Sequence, residues 1–236
     1  MENGGMREDA ITTCGCSLFK DGRRREIEDK LACEDEIEVY WPGAEPVRLW
    51  SMPQELEELV LGYCATELCP SQTRPLLEER RDSRFYLRPT PRAEKAEADP
   101  CSPTPELVFS CMQQLLFGTG KWEETGCFHR AAVFDMQGGL LRMNEDISRH
   151  NCLNRLCGWA INNEQALSGH LLCVSARGTA SIVSKAIKAG IKAMACRAAV
   201  TTAAVDMARR QGMILIGFVR ENRFTLFADS EGRLAD

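Results

Sequence analysis

Apolar residues recur with two different periods along this chain, and the switches between them mark out its elements. Between residues 36 and 49 apolar and polar positions alternate around Pro42-Gly43, which predicts a hairpin of residues 37–40 and 46–49. From Pro53 the period lengthens. Leu56, Leu59, Val60 and Tyr63 share one face behind an acidic first turn, so an amphipathic helix is expected, interrupted near its end by Gly62. Leu107, Val108, Cys111, Met112, Leu115 and Leu116 predict a second helix, capped by Thr104 or Ser102 and stopped at residues 117–120. The apolar run 131–135, the turn Gln137-Gly138-Gly139 and the run 140–143 read as a hairpin of short strands. A helix then begins near Asp146 and runs to Ile161, with Leu153, Leu156, Cys157 and Ala160 on one face.

The last third alternates regularly. Strands at 171–174, 191–196 and 213–218 are separated by helices at 181–189 and 202–211, each helix stopped by a glycine, Gly190 or Gly212. That order is the mark of right-handed β-α-β crossovers, and 223–227 is expected to return antiparallel. The fold class predicted is α/β, a mixed sheet layered with helices. Residues 1–30 are charged and Gly-rich with little apolar period and are expected to form a mobile arm or an edge strand. Residues 71–104 are dominated by charges and Arg-Pro pairs and are expected to be a linker or exposed loop. The division is therefore an arm over 1–30, a smaller α+β part with its loop over 31–104, and an α/β core over 105–236.

A chain of 236 residues with 44% hydrophobic composition can bury a substantial core. Its formal charge of −5 gives nucleic acid no general attraction, so any anion site must be local. No apolar run approaches the length of a membrane span, and the acidic start lacks a signal-peptide pattern; no membrane partner and a cytoplasmic location are expected. The twelve cysteines are then expected to be reduced thiols. No C-x-x-C occurs, and Cys14-Gly15-Cys16 has no second pair to close a zinc site.

The densest grouping of chemistry-bearing residues lies at 125–151. His129 stands before an apolar strand, where backbone hydrogen bonds commonly satisfy a histidine. Asn144, Glu145 and Asp146 fall where a strand gives way to a helix, followed by Arg149 and His150. Helix-start amides, Arg149 and His150 could face a phosphate-rich ligand, or the acids could simply complement the helix dipole. Arg177 sits in the turn Ser175-Ala176-Arg177-Gly178-Thr179 at a strand end, the place where open α/β sheets bind ligands. Phe218, Val219, Arg220, Glu221, Asn222 and Arg223 end a strand with an aromatic and two arginines, suited to stacking on a base and pairing with its phosphates, or to an exposed hairpin.

The ordered motifs TG-x-F-H-x-AAVFD at 125–135, NED-x-x-RHN at 144–151 and CGWAI at 157–161 resemble those of the formate dehydrogenase accessory sulfurtransferase family, FdhD. Residues 36–39, the helix after Pro53, Ser175-Ala176-Arg177 and 215–220 extend the likeness over about residues 33 to 234. The resemblance implies a core similar to cytidine deaminases. It implies a sulfur carrier that takes sulfur from a cysteine desulfurase and passes it to the molybdenum bis-guanine-dinucleotide cofactor for formate dehydrogenase. His129, Glu145, Asp146, Arg149, His150, Arg177 and residues 218–223 would bind the cofactor; a homodimer is left open.

Deaminase chemistry needs H-x-E and P-C-x-x-C to hold zinc, whereas His129 is followed by Arg130 and Ala131, so no metal site is expected. Members of the family carry a C-x-x-C before the TGG-x-H motif, and one of its cysteines bears the persulfide. Here the corresponding segment holds Cys101 alone, expected to be exposed in a flexible loop, while Cys127 replaces the second glycine of TGG. These two are the candidate carrier thiols. A cofactor-binding chaperone that lacks sulfur transfer is the alternative function.

Overall fold

A computed structural model describes residues 9–92, 101–117 and 120–235. The chain opens with two ten-residue strands, β1 (Ile11–Lys20) and β2 (Arg23–Ala32), joined through Asp21 and Gly22. Both turn residues have positive φ, 53° and 73°, the twist that lets a two-residue turn close an antiparallel pair. Of the two expectations for the arm, mobile segment or edge strand, residues 11–32 follow the second and form a regular hairpin. Residues 1–8 lie outside the described residues.

Strands β3 (Asp35–Tyr40) and β4 (Val47–Ser51) form the expected hairpin, and α1 (Leu56–Glu67) the expected helix. The next elements correct the loop expected over 71–104. Strands β5 (Thr73–Arg81) and β6 (Arg84–Pro91) complete a four-stranded sheet in the order β4-β3-β6-β5, and residues 93–100 lie outside the described residues. Charged side chains on the open face of this hairpin hide its period. Phe85 and Leu87 face inward with Ile37, Val39 and Leu59 of α1. Pro75 is tolerated because β5 is an edge strand.

Helix α2 (Pro105–Leu116) is capped by the Thr104 hydroxyl, which accepts from the Leu107 amide at 3.2 Å. A short α3 (Lys121–Thr125), which no periodicity announces, precedes β7 (His129–Phe134) and β8 (Leu140–Asp146). Then follow α4 (Arg149–Asn162), β9 (Leu171–Val174), α5 (Ala180–Lys188), β10 (Ala193–Cys196), α6 (Thr202–Arg210), β11 (Ile214–Gly217) and β12 (Thr225–Ala228). The sheet order is β12-β11-β10-β9-β7-β8, with β9, β10 and β11 parallel and both flanks antiparallel. The mixed α/β class and the β-α-β alternation are as the sequence predicts.

Strand alternation sends successive residues to opposite layers. Ala193 and Ala195 of β10 meet Val108, Cys111, Met112 and Leu115 of α2, while Met194 and Cys196 face α4, α5 and α6. The two parts of the chain meet where α1 crosses α4. A Cβ on Gly62 would lie 1.7 Å from the Asn154 carbonyl oxygen, and one on Gly158 would lie 1.8 Å from that of Glu58. Gly62 therefore does not interrupt α1; it lets two backbones touch. Among the described residues no helix is long and apolar enough to cross a membrane.

Candidate functional site

Three parallel strands end on one edge of the main sheet, and antiparallel β7 begins there. His129, the first residue of β7, pairs with Asp146, the last of β8. The loops after β9, β10 and β11 are stitched together by main chain. Ser175 donates to the Arg130 carbonyl at 3.0 Å, Gly178 to Ala199 at 3.0 Å, Thr201 to Gly178 at 3.1 Å and Phe218 to Ala198 at 3.0 Å. Except for Cys101, every candidate carrier or cofactor-binding residue lies on or beside this edge.

Among the described residues, Arg149, His129 and His150 on this edge make no ion pair, and Asp146 and Glu67 act on the two imidazoles only from a distance. Arg149, at the start of α4, is half-buried, and its Nε is buried without a hydrogen-bond partner. Burial holds the His129 imidazole below its ordinary range, and the nearby Arg149 guanidinium adds to this. His150 is depressed in the same way, by burial first, then Arg149 and Lys185. Its Nε2 lies 3.0 Å from the Ser181 hydroxyl, which is 3.1 Å from that of Thr179 at the N-cap of α5. Thr179 and Ser181 escaped the sequence reading, although a threonine between a strand end and a helix is a legible cap signal. Arg177 and Arg223 are exposed, and neither is ion-paired among the described residues.

Other expected ligand residues are engaged by the protein itself. Asp146 is fully buried: Oδ1 accepts from the Ser148 amide at 3.0 Å and from Asn151 Nδ2 at 3.1 Å, while Oδ2 accepts from Arg155 Nε at 2.9 Å. Arg155, also fully buried, donates to the carbonyls of Met52, Gln54 and Glu55. Glu145 Oε1 binds Arg130 Nε at 2.7 Å, and Oε2 accepts from the Lys121 amide at 3.0 Å. Both acids stand at the end of β8, just before α4, and their oxygens are held by protein donors, so they frame the edge. A charge on an otherwise apolar face, as at Arg130 and Arg155, was the sequence signal for such pairs.

Residues 218–223 divide likewise. Val219 is buried, and its carbonyl accepts from Arg197 and Arg220, each at 2.9 Å. Arg220 Nη1 also donates to the Arg197 carbonyl, so this nitrogen caps the loops. The Arg220 amide closes the turn on the Arg223 carbonyl at 2.8 Å, leaving Glu221, Asn222 and Arg223 exposed at its rim. Phe218 is 40% exposed and holds φ at 54°, a conformation that is strained for a bulky residue.

The two candidate thiols occupy opposite edges. Cys127 is exposed, just after Gly126 closes α3 and two residues before His129. Cys101 is 1% exposed, its sulfur 3.4 Å from the His170 carbonyl just before β9 and 3.9 Å from Met136 Sδ just after β7. The exposed loop expected for Cys101 is thus corrected. Burial pushes its thiol up to about 11 in spite of nearby Arg233. Five residues of extended chain, from His170 to Ser175, put the edges about 16 Å apart. A cavity of about 480 Å³ between Thr66, Arg74, Leu167, Lys188 and Lys192 also opens away from the cationic edge.

The model of the FdhD/NarQ family matches residues 77–234. The chain belongs to this family. The FdhD sulfur carrier protein of Bacillus subtilis is 26% identical over 90% of this chain and 94% of its own. That of Streptomyces coelicolor is 34% identical over 61% of this chain and 52% of its own. The crystal structure of a Desulfotalea psychrophila protein assigned as a formate dehydrogenase accessory protein superposes with a TM-score of 0.81, covering 96% of this chain and all of that one at 20% identity. The FdhD fold is therefore common to both.

Proposed function

We propose that this protein is a sulfur carrier serving a formate dehydrogenase, with Cys127 as the carrier thiol and the cationic edge as the seat of the molybdenum bis-guanine-dinucleotide cofactor, its cargo. The observation that carries the reading is the exposed Cys127 standing two residues from His129, beside Arg149, whose buried Nε has no hydrogen-bond partner, and His150. A buried guanidinium nitrogen without an acceptor, beside two imidazoles depressed by burial first and by that guanidinium second, fits a ligand rich in phosphate oxygens. Arg177 and Arg223 extend the same charge along the rim, and the strained, half-open Phe218 offers a ring to a guanine base. The curated relatives named as sulfur carriers support the activity.

In this reading the Cys127 thiolate attacks the outer sulfur of a desulfurase persulfide. The donor S–S bond breaks, the donor cysteine leaves as thiolate, and Cys127 holds the sulfur as a persulfide for delivery to the molybdenum. The described cysteines are all free thiols, which suits a cytoplasmic protein. The test is incubation with a cysteine desulfurase and cysteine, followed by peptide mass spectrometry. One added sulfur, about 32 Da, is expected on Cys127 and is lost in Cys127→Ala but kept in Cys101→Ala. The absence of C-x-x-C favours one second reading, a cofactor-binding chaperone. Guanine-nucleotide binding with no sulfur on any cysteine would establish it in place of the carrier.

A further inference from the structure

The cavity of about 480 Å³ behind the cationic edge has a chemistry of its own, divided between floor and rim. Cys157 and Ala160 of α4, Leu167 from the loop after it and Pro75 of β5 are buried and make an apolar floor. Arg74 of β5, Arg92 just after β6, Lys188 of α5 and Lys192 just before β10 are exposed and make the rim. Glu164 is the one acid among the described lining residues. In a chain with a formal charge of −5, four cations around one space against one acid are a local excess.

Three helices, α1, α4 and α5, end against this space, and helix C-termini attract cations. Those ends are closed by their own chain. The Cys64 carbonyl of α1 accepts from the amides of Leu68 and Cys69 at 3.0 and 2.8 Å, and Lys188 Nζ donates to the Thr66 carbonyl at 2.6 Å. In α4 the Trp159 and Ala160 carbonyls accept from Asn163 and Gln165 at 3.0 and 2.8 Å. In α5 the Lys185 and Ala186 carbonyls accept from Ala189 and Ile191, each at 2.9 Å. Lys188 is thus the cation that answers a helix end. The side chains of Arg74, Arg92 and Lys192, and the Ser168 hydroxyl beside them, make no hydrogen bond or ion pair among the described residues.

We infer that this cavity is a second ligand site, for a small organic diphosphate with an apolar body. Three unpartnered cations match a diphosphate head, which carries about three negative charges and several acceptor oxygens, better than they match a single carboxylate. The buried floor takes the hydrocarbon, and the volume lies in the range of small-molecule sites. A nucleotide fits poorly, because no aromatic ring stands among the described lining residues to stack on a base. Eleven positions of helix from Arg149 to Ala160 hold this site about 16 Å from the cationic edge. A ligand here therefore leaves the seat proposed for the cofactor open, and the inference does not depend on sulfur transfer.

Titration calorimetry of the full chain with dimethylallyl diphosphate and, in parallel, inorganic pyrophosphate, at low ionic strength without divalent cations, tests it. The ester binds once per chain and at least tenfold more tightly than pyrophosphate, because only the ester covers the floor. Arg74→Glu and Lys192→Glu each weaken it at least tenfold while the melting temperature stays unchanged, since both side chains are exposed. Arg25→Glu makes the same change of net charge away from the cavity and leaves the affinity as it was. Saturating GDP does not displace the ester. No binding at millimolar ester, equal affinity in the two reversals, equal weakening by Arg25→Glu, pyrophosphate as tight as the ester, or displacement by GDP each overturns the site. Persulfide formation on Cys127, measured on the same variants, keeps such a failure distinct from a failure of the carrier reading.

Discussion

Replacing Asp146 by asparagine separates framing from binding at the candidate site. Asp146 and Arg155 are both fully buried and 2.8 Å apart, so solvent does not screen their attraction. At an effective dielectric of about 20, that separation corresponds to about 6 kcal/mol gross. Arg155 keeps its three carbonyl acceptors in the variant, which holds the net loss near the lower end for breaking a buried pair, about 3 kcal/mol. For a chain of this size that lowers the thermal midpoint by roughly 6–12 °C. Calorimetry gives the midpoint, and GDP titration well below it gives binding. The expected result is a large loss of stability with GDP affinity within about twofold of wild type, because the carboxylate meets only protein donors. A midpoint within about 2 °C of wild type, or a folded variant that no longer binds GDP, would refute the assignment of Asp146 to the frame.

Three further outcomes follow from the same geometry. Gly158→Ala must push α4 away from the Glu58 carbonyl and should cost about 3 kcal/mol, read as a lower denaturant midpoint with an unchanged slope. With a mild alkylating reagent Cys127 should react fast and Cys101 slowly, since raising a thiol from 9.0 to about 11 cuts its thiolate at neutral pH about a hundredfold before burial is counted. Rapid labelling of Cys101 would reinstate it as a carrier. Burial depresses His129, His150 and His170, so the unfolded chain binds more protons and folding stability should fall as pH drops through and below about 6.5. GDP should shift in the opposite sense, binding more tightly at about pH 6 than at about pH 8, because an anion favours the imidazolium forms; a pH-independent affinity would remove the histidines from the site.

Where burial alone decided an element, its period was visible in the sequence. The alternation of 171–218 and the faces of α1 and α2 are one-sided packing patterns, and they were read almost to the residue. The β5/β6 hairpin was missed because its exposed face carries charges at nearly every other position, and a Pro-bearing edge strand looks like loop. Gly62 looked like a helix breaker because its function, contact with the Asn154 backbone, belongs to a partner 92 positions away. The site shows the same division. That His129, Arg149, Arg177 and 218–223 share an edge follows from strand order, but which charges remain free does not. Arg220 and Arg223 are three residues apart, and only tertiary carbonyls decide that the first is tied down and the second left open.

Main-chain stitching of the three edge loops has a consequence for how such a protein can change over evolutionary time. Because the bonds among Ser175, Gly178, Ala198, Thr201 and Phe218 run mostly between amides and carbonyls, the shape of the rim does not depend on the side chains standing on it. Residues such as Arg177, Asn222 and Arg223 can be exchanged one at a time without the loops having to find a new conformation. Under the proposed function, lineages could then retune which cargo is accepted while inheriting the same platform, and an engineered library confined to those rim positions would test that at little risk to folding.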